Sequence, residues 1–528
     1  MTGKTGGTRT LRRAGALAAA AAVALLATAC DVVHVHVGSS GGAVSAESGT
    51  YQENLAYAQC MRGHGVPDFP LPRPSGTSSF SGQVTGNPSG QAARANDACR
   101  HLLPGGSTGT GGAAASASPP GGAVAGDCLA AEPACYTPRQ LRAAYAIQPL
   151  LDAGTTGRGV TVVLPEEAET GQARPQPPAG ILAAVTDIRQ DVAAFDGRFG
   201  LPAPRIQVIT TMAGSSASPW LASVEEVEDT DLVHTVAPEA TIVELLVDPA
   251  DVSTPAKFAA TWAAAVRLAA RHGEVISQSG IGQDFNLAES SWTSAEVATM
   301  NSALQYAAGR HATVVVASGD DGALGNGSTT PVKGIILPTS DPLVLAAGGT
   351  SLTANTVTGA YISETAWNDP PNGVPSASGG GFSRLFARPA YQDGVPGIGA
   401  MRGMPDVAAD ADSGTGMALA FSAPGGGYEY FGAGGTSAAA PFWAALIALA
   451  DQQAGHPLGF VNPAIYQIAR GPMYHKAFHD ITTGDNTVVL NGVTVTGYRA
   501  APGWDPVTGW GSPNAQELVP LLARYAST

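Results

Sequence analysis

Two short segments carry the residues that could do chemistry. Gly434 to Pro441 reads GGTSAAAP, and far upstream Glu225 to Asp231 reads EEVEDTD. Ser437 stands on a Gly-Gly-Thr turn feeding an apolar stretch, AAAPFWAALIALA (Ala438 to Ala450), which predicts a helix. At that helix N-terminus, backbone N–H groups and the macrodipole favour developing negative charge. The small flanking residues leave room for a substrate backbone. The bland alternative is that Ser437, or Thr436 beside it, is simply an N-cap. The second segment offers carboxylates in place of an imidazole as general base. Glu225, Asp229, Leu232, Val233 and Val236 recur at the spacing of one helical stripe, so two carboxylates share an otherwise apolar, inward-pointing face. Glu226, Glu228 and Asp231 read instead as solvated, dipole-compensating acids. An unperturbed glutamate titrates near about 4.3, so a serine driven by a carboxylate base suits hydrolysis in acid.

Asp320 follows TVVVASG (Thr313 to Gly319), a β-branched strand ending at a glycine. That places it at the carboxyl end of a strand, where open α/β sheets bind ligands. An ordinary Asx turn is the competing explanation, and Asp321 competes for the role.

Eight landmarks, counting those above, are ordered along the chain: VEEVED followed by LVHTVAPEA, VVVASGDDG, ILPTSDPLVLAAGGTSL, SGGGFSR, GMPDVAADAD, GGTSAAAP, FHDITTGDN and APGWDPVTGWGSP. In that order they resemble the sedolisins, the serine-carboxyl peptidases, from roughly Tyr136 to the C-terminus. The resemblance implies a subtilisin-like fold and an acid-active serine-type endopeptidase acting on polypeptides. It implies Ser437 as nucleophile, Glu225 as its general base, Asp229 as the carboxylate supporting Glu225, and Asp320 as the acid at the oxyanion site. It also implies one structural Ca2+, held by the side chains of Asp480 and Asp505 and the carbonyls of Ile481, Ala501 and Gly503. Two carboxylates plus carbonyls suit a hard, oxygen-seeking ion, whereas Ala501 stands where the family usually has glycine. Two further departures stand out. Glu166 aligns with a glutamate that extends the carboxylate network in some members, but Gly280 occupies the place of that network's tryptophan. The residues between Cys30 and Cys128 do not resemble the large prosegment usual in the family.

The elements that must position these residues alternate. Strand-like runs begin at Val160, Ile206, Ala240, Glu274, Ala312 and Leu343, with helix-like runs near 180–198, 222–236, 255–272 and 293–309. This predicts an α/β fold, a mainly parallel sheet with helices on both faces. A subtilisin-type Ser-His-Asp site would want an Asp after the first strand and a His-Gly-Thr helix; VVLPEE provides no Asp, and His234 lies off the Glu225–Asp229 face. A catalytically inactive surface lipoprotein that binds peptide or cell wall is the other rival.

The chain has 528 residues and a net charge of −15. Its lysines are Lys4, Lys257, Lys333 and Lys476, and no basic run exists beyond the N-terminus, which argues against a nucleic-acid partner. Lys4, Arg9, Arg12 and Arg13 precede an apolar run from Ala14 to Ala27. This reads as a secretory signal over 1–29, too short and wrongly flanked to span a membrane. LLATAC resembles a lipoprotein box with Cys30 as the lipidated residue, so the expectation is an exported protein, anchored at the cell surface or secreted, and monomeric. Setting Cys30 aside leaves four of five cysteines, enough for two disulfides. Of three possible pairings, Cys60–Cys99 with Cys128–Cys135 is favoured. The expected organisation is a tether over 30–50, a small disulfide-stapled module over 51–104, a Gly/Ala/Ser/Pro linker over 105–127, and the peptidase domain over 128–528. His34, His36, His64 and His101 lack a metal-binding spacing.

Overall fold

The computed structural model describes Arg62 and residues 128–130, 135–169, 186–211, 220–281, 287–325, 330–369, 375–422 and 427–525. The signal, Cys30, the Cys60–Cys99 pairing and the linker expected from the sequence lie outside the described residues. The chain divides into two compact units, Met1–Ala113 and Ala114–Thr528, and all elements below belong to the second. The disulfide Cys128–Cys135 is present.

The core strands are β1 (Thr161–Glu167), β2 (Arg205–Thr210), β3 (Thr241–Val247), β4 (Val275–Gln278), β5 (Thr313–Ala317), β6 (Leu345–Ala354), β7 (Tyr361–Ala366) and β8 (Val407–Asp410). They form one sheet in the order β8-β6-β5-β4-β1-β3-β2, with β7 added antiparallel to β6. Every neighbouring pair along the main path is parallel. Parallel strands of this kind are covered on both faces, so their sequences run apolar without interruption. Successive side chains still alternate: Val162 and Leu164 enter one core with Val275, Val315 and Leu345, while Val163 enters the other with Ile276, Val314 and Val316.

Helices fill both faces. One side carries α3 (Pro255–His272) and α4 (Ser294–Gly309), whose starts are capped by Thr254 and by a Thr293–Glu296 capping box. The other side carries α2 (Val224–Val236), α5 (Gly435–Ala454) and the C-terminal α6 (Ala515–Tyr525). The α1 helix (Ile188–Phe199) and the hairpin of β9 (Ala418–Ser422) with β10 (Tyr428–Gly432) lie outside α2. This is an α/β fold with a mostly parallel central sheet, as the alternation of strand and helix signals predicts, and it is subtilisin-like, as the resemblance implies.

One expectation fails. The α2 helix is not a striped surface helix but is enclosed on every side by β1, β3, α1, α5 and β9. Glu226, Glu228 and Asp231, expected in solvent, are buried along with Asp229. Packing from distant segments overrides the polar pattern of the helix itself.

Candidate active site

The α2 helix starts at Ser223, where a reciprocal capping box joins Ser223 and Glu226. Glu225 in that first turn is half-buried, while Asp229 one turn on is fully buried. Ser437 lies in the first turn of α5, whose N-cap is Gly434, and is also half-buried. The N-cap reading of Ser437 and Thr436 therefore fails: glycine occupies that position.

Hydrogen bonds bring the scattered segments to one place. Gly434 N–H donates to Glu228 Oε1 at 3.0 Å, docking the serine's turn on the acidic helix. Gly434 precedes Ser437 by three residues and Glu228 follows Glu225 by three, so both residues stand one helical turn from this junction. Asp320, at the end of β5, accepts on Oδ1 from both Thr436 N–H and Thr436 Oγ, each at 2.8 Å. Thr436 Oγ in turn accepts from Gly319 N–H at 2.8 Å. Gly435 has φ +76°, and a Cβ there would stand 2.5 Å from Asp320 Oδ2. The second glycine of GGTS is thus required twice, by its backbone and by the aspartate it admits.

Behind Glu225 lies a set of buried carboxyls. Ser279 Oγ, just past β4, donates to Asp229 Oδ2 at 2.5 Å. Glu166 near the end of β1 is buried, and its carboxyl interacts with that of Asp229. Gly280 leaves space for it: a Cβ at 280 would fall 1.3 Å from Glu166 Oε2. The Glu166 carboxyl therefore occupies the space that any side chain at position 280 would enter. Glu244 of β3 lies in the same interior and accepts from Thr230 Oγ.

The electrostatics follow from burial, and among the described residues no ion pair involves any of these acids. Asp229 is held well above the carboxylate range by desolvation and then by Glu225, against the Ser279 bond that lowers it. Glu166 rises for the same first cause, reinforced by Asp229 and Glu225. Burial pushes Glu226 and Glu244 each to about 8. It also raises Asp320, against the lowering effect of the two Thr436 bonds. Such a group of carboxyls holds protons that isolated acids would release.

His234 is buried, with Nε2 3.0 Å from Asp196 Oδ1 of α1, and is engaged there as a structural pair. From sequence, Glu228 reads as a solvated acid and Thr436 as a competing N-cap, and Ser279 and Glu244 are passed over. Of these only Glu228 carries a local signal, since α2 has many acids and no Lys or Arg.

At the C-terminal end, Asp480 Oδ1 and Oδ2 accept from Gly503 N–H at 3.1 and 3.2 Å. Asp505 accepts from Val507 and Thr508 N–H on Oδ1, and from Thr508 Oγ and Ala501 N–H on Oδ2. Both acids thus converge on the segment 501–505. Ala501 is not at positive φ, so no glycine is required there. Among the described residues no ion pair involves Asp480 or Asp505, and no cluster of three or more His, Cys, Asp or Glu side chains forms a metal site.

No protein-family model matches the chain. It is 41% identical over 246 residues to kumamolisin of Bacillus sp. (strain MN-32), covering 45% of this chain and 41% of that protein. It is 36% identical over 225 residues to sedolisin of Pseudomonas sp. (strain 101), covering 40% and 35%. Human tripeptidyl-peptidase 1 is 32% identical over 259 residues, covering 44% and 41%. The chain therefore spans about two fifths of the length of the curated relatives it matches. In structure it is similar to Pseudomonas sedolisin, a serine-carboxyl proteinase solved with two molecules of pseudo-iodotyrostatin. The TM-score is 0.58 at 26% identity, over 73% of this chain and 97% of that one. Over the part of the chain that they match, these relatives and the shared fold show a similarity to sedolisins.

Proposed function

We propose that this protein is an acid-active serine-carboxyl peptidase that hydrolyses polypeptides through an acyl-enzyme on Ser437. The observation that carries the proposal is the pair of bonds from the turn before Ser437, one to Glu228 of the acidic helix and one to Asp320. Ser437 Oγ attacks the scissile carbonyl while Glu225 takes its proton. The tetrahedral oxyanion accepts a hydrogen bond from the protonated Asp320 carboxyl. Glu225 then returns the proton to the leaving amine and, in the second half, activates the water that releases the acyl group.

The supporting carboxyls match these tasks. Asp229, pushed up by burial and by Glu225, keeps a proton to share with the base. Asp320 is pushed up by burial, so it stays protonated in acid, and an oxyanion donor of this type is worth roughly 3–4 kcal/mol. Glu166 lies behind Asp229 as a further proton holder.

The C-terminal loops fit one Ca2+. Asp480 and Asp505 supply two negative charges with no basic partner among the described ion pairs, and the carbonyls of Ile481, Ala501 and Gly503 would complete an oxygen donor set. Bound there, the ion would cross-link the 480 and 501–505 segments. The peptidase domain is assigned to 128–528, preceded by the module of 51–104 and the linker of 105–127. Lipid on Cys30 would anchor the exported enzyme at the cell surface.

A pH–rate profile on a denatured protein substrate tests the function. Turnover should peak in acid and vanish in Ser437→Ala. A maximum above about pH 7, or full activity in Ser437→Ala, would overturn the carboxylate mechanism.

A further inference from the structure

Glu228 is a carboxyl that none of the steps above uses. It projects from the middle of α2, is 5% exposed, and accepts from Gly434 N–H at 3.0 Å. Gly434 is the N-cap of α5 and has no side-chain cap of its own. The carboxyls facing Glu228 are Glu225 and Asp229 on its own helix and Asp320 from the end of β5. No ion pair among the described residues involves it. An acid buried in such company costs stability that an apolar side chain of the same size would not. Its counterpart on the other side of the turn is Asp320, which holds Thr436 through N–H and Oγ. The turn that presents the nucleophile is therefore gripped at both ends, at Gly434 by the base helix and at Thr436 by the oxyanion residue.

We propose that Glu228 is a positioning residue, which docks the turn of the nucleophile onto the base helix and so sets the geometry between Ser437 and Glu225. This role rests on the serine-carboxyl reading. The bond needs only an acceptor oxygen, which a neutral acid or an amide supplies equally well. α2 and α5 come from distant parts of the chain, and this link crosses their interface beside the reacting groups. Small misplacements of a nucleophile reduce rate steeply.

The test compares Glu228→Gln, Glu228→Leu and Ser437→Ala on one peptide substrate at the acid optimum, with kcat, KM and melting temperature measured separately. Glu228→Gln should keep kcat within about twofold of wild type. Glu228→Leu should lose about tenfold in kcat with KM within about twofold and no loss of melting temperature, the scale expected for one hydrogen bond. Wild-type kcat in Glu228→Leu beside an inactive Ser437→Ala would overturn the positioning role alone. Full turnover in Ser437→Ala would overturn the serine-carboxyl reading and this role with it. If Glu228→Leu does not fold, Glu228→Gln decides: a loss beyond about tenfold in kcat would mean that the acceptor oxygen is not what the site uses.

Discussion

Glu226 and Glu244 are buried in the interior between α2 and the sheet, and no ion pair among the described residues involves either. Burial pushes each to about 8 from an ordinary value of 4.5, against hydrogen bonds from Ser223 and Thr230 that lower them. The folded state therefore binds these protons more tightly than the unfolded chain. Stability from each group is fully present below about pH 4.5, declines as the unfolded chain gives up its proton, and is lost once the pH passes about 8. Each pH unit in that window costs about 1.4 kcal/mol per group, so each has a ceiling of roughly 4–5 kcal/mol. Two such groups are comparable to the whole stability of a typical domain, about 5–15 kcal/mol. The assay is a series of urea midpoints at constant ionic strength between about pH 4 and pH 9. Stability should fall between about pH 4.5 and 8 with a slope of about two protons from this pair. Glu226→Gln with Glu244→Gln, which keeps the capping box and an acceptor for Thr230, should flatten that slope. A midpoint constant from pH 5 to 8, or a double variant with the wild-type slope, would refute the reasoning.

Asp320→Asn, which keeps a donor, should retain more activity than Asp320→Ala, expected to lose about 100- to 1,000-fold in kcat; equal losses would remove Asp320 from the oxyanion site. Gly280→Ala must displace the Glu166 carboxyl, so it should lower stability by about 1–3 kcal/mol and alter the pH profile of kcat/KM with little change in KM. An unaltered melting curve and profile would show that Glu166 has no part in the network. Chelation of calcium should lower the melting temperature and Asp505→Ala should mimic it, since an ion saturating at about 100 times its Kd stabilises by about 2.7 kcal/mol; no shift and no metal in the purified protein would eliminate the site. Cys30→Ser should move the protein from the membrane fraction to the medium with specific activity intact, because lipid is the expected anchor; an unmodified wild-type N-terminus by mass spectrometry would refute it.

Sequence alone determined the alternation of strands and helices, because apolar period and β-branched runs are local properties. TVVVASG, TIVELLV and the helix of Gly435–Ala454 all lie where their residues predict. It also singled out Ser437, Glu225, Asp229 and Asp320, through motifs short enough to be read without the fold. Tertiary structure alone decided that acids off the expected inward face are buried as well. Glu226, Glu228 and Asp231 are polar residues on a helix whose every side is covered by segments far away in the chain, so nothing local marks them as interior. The same holds for contacts made at long separation: Glu166 against Asp229 through the space at Gly280, Ser279 on Asp229, and Glu228 on Gly434 across 206 residues. A sequence records each residue's preference; the company in which a carboxyl is buried, and hence its proton, depends on how the sheet and helices close around it.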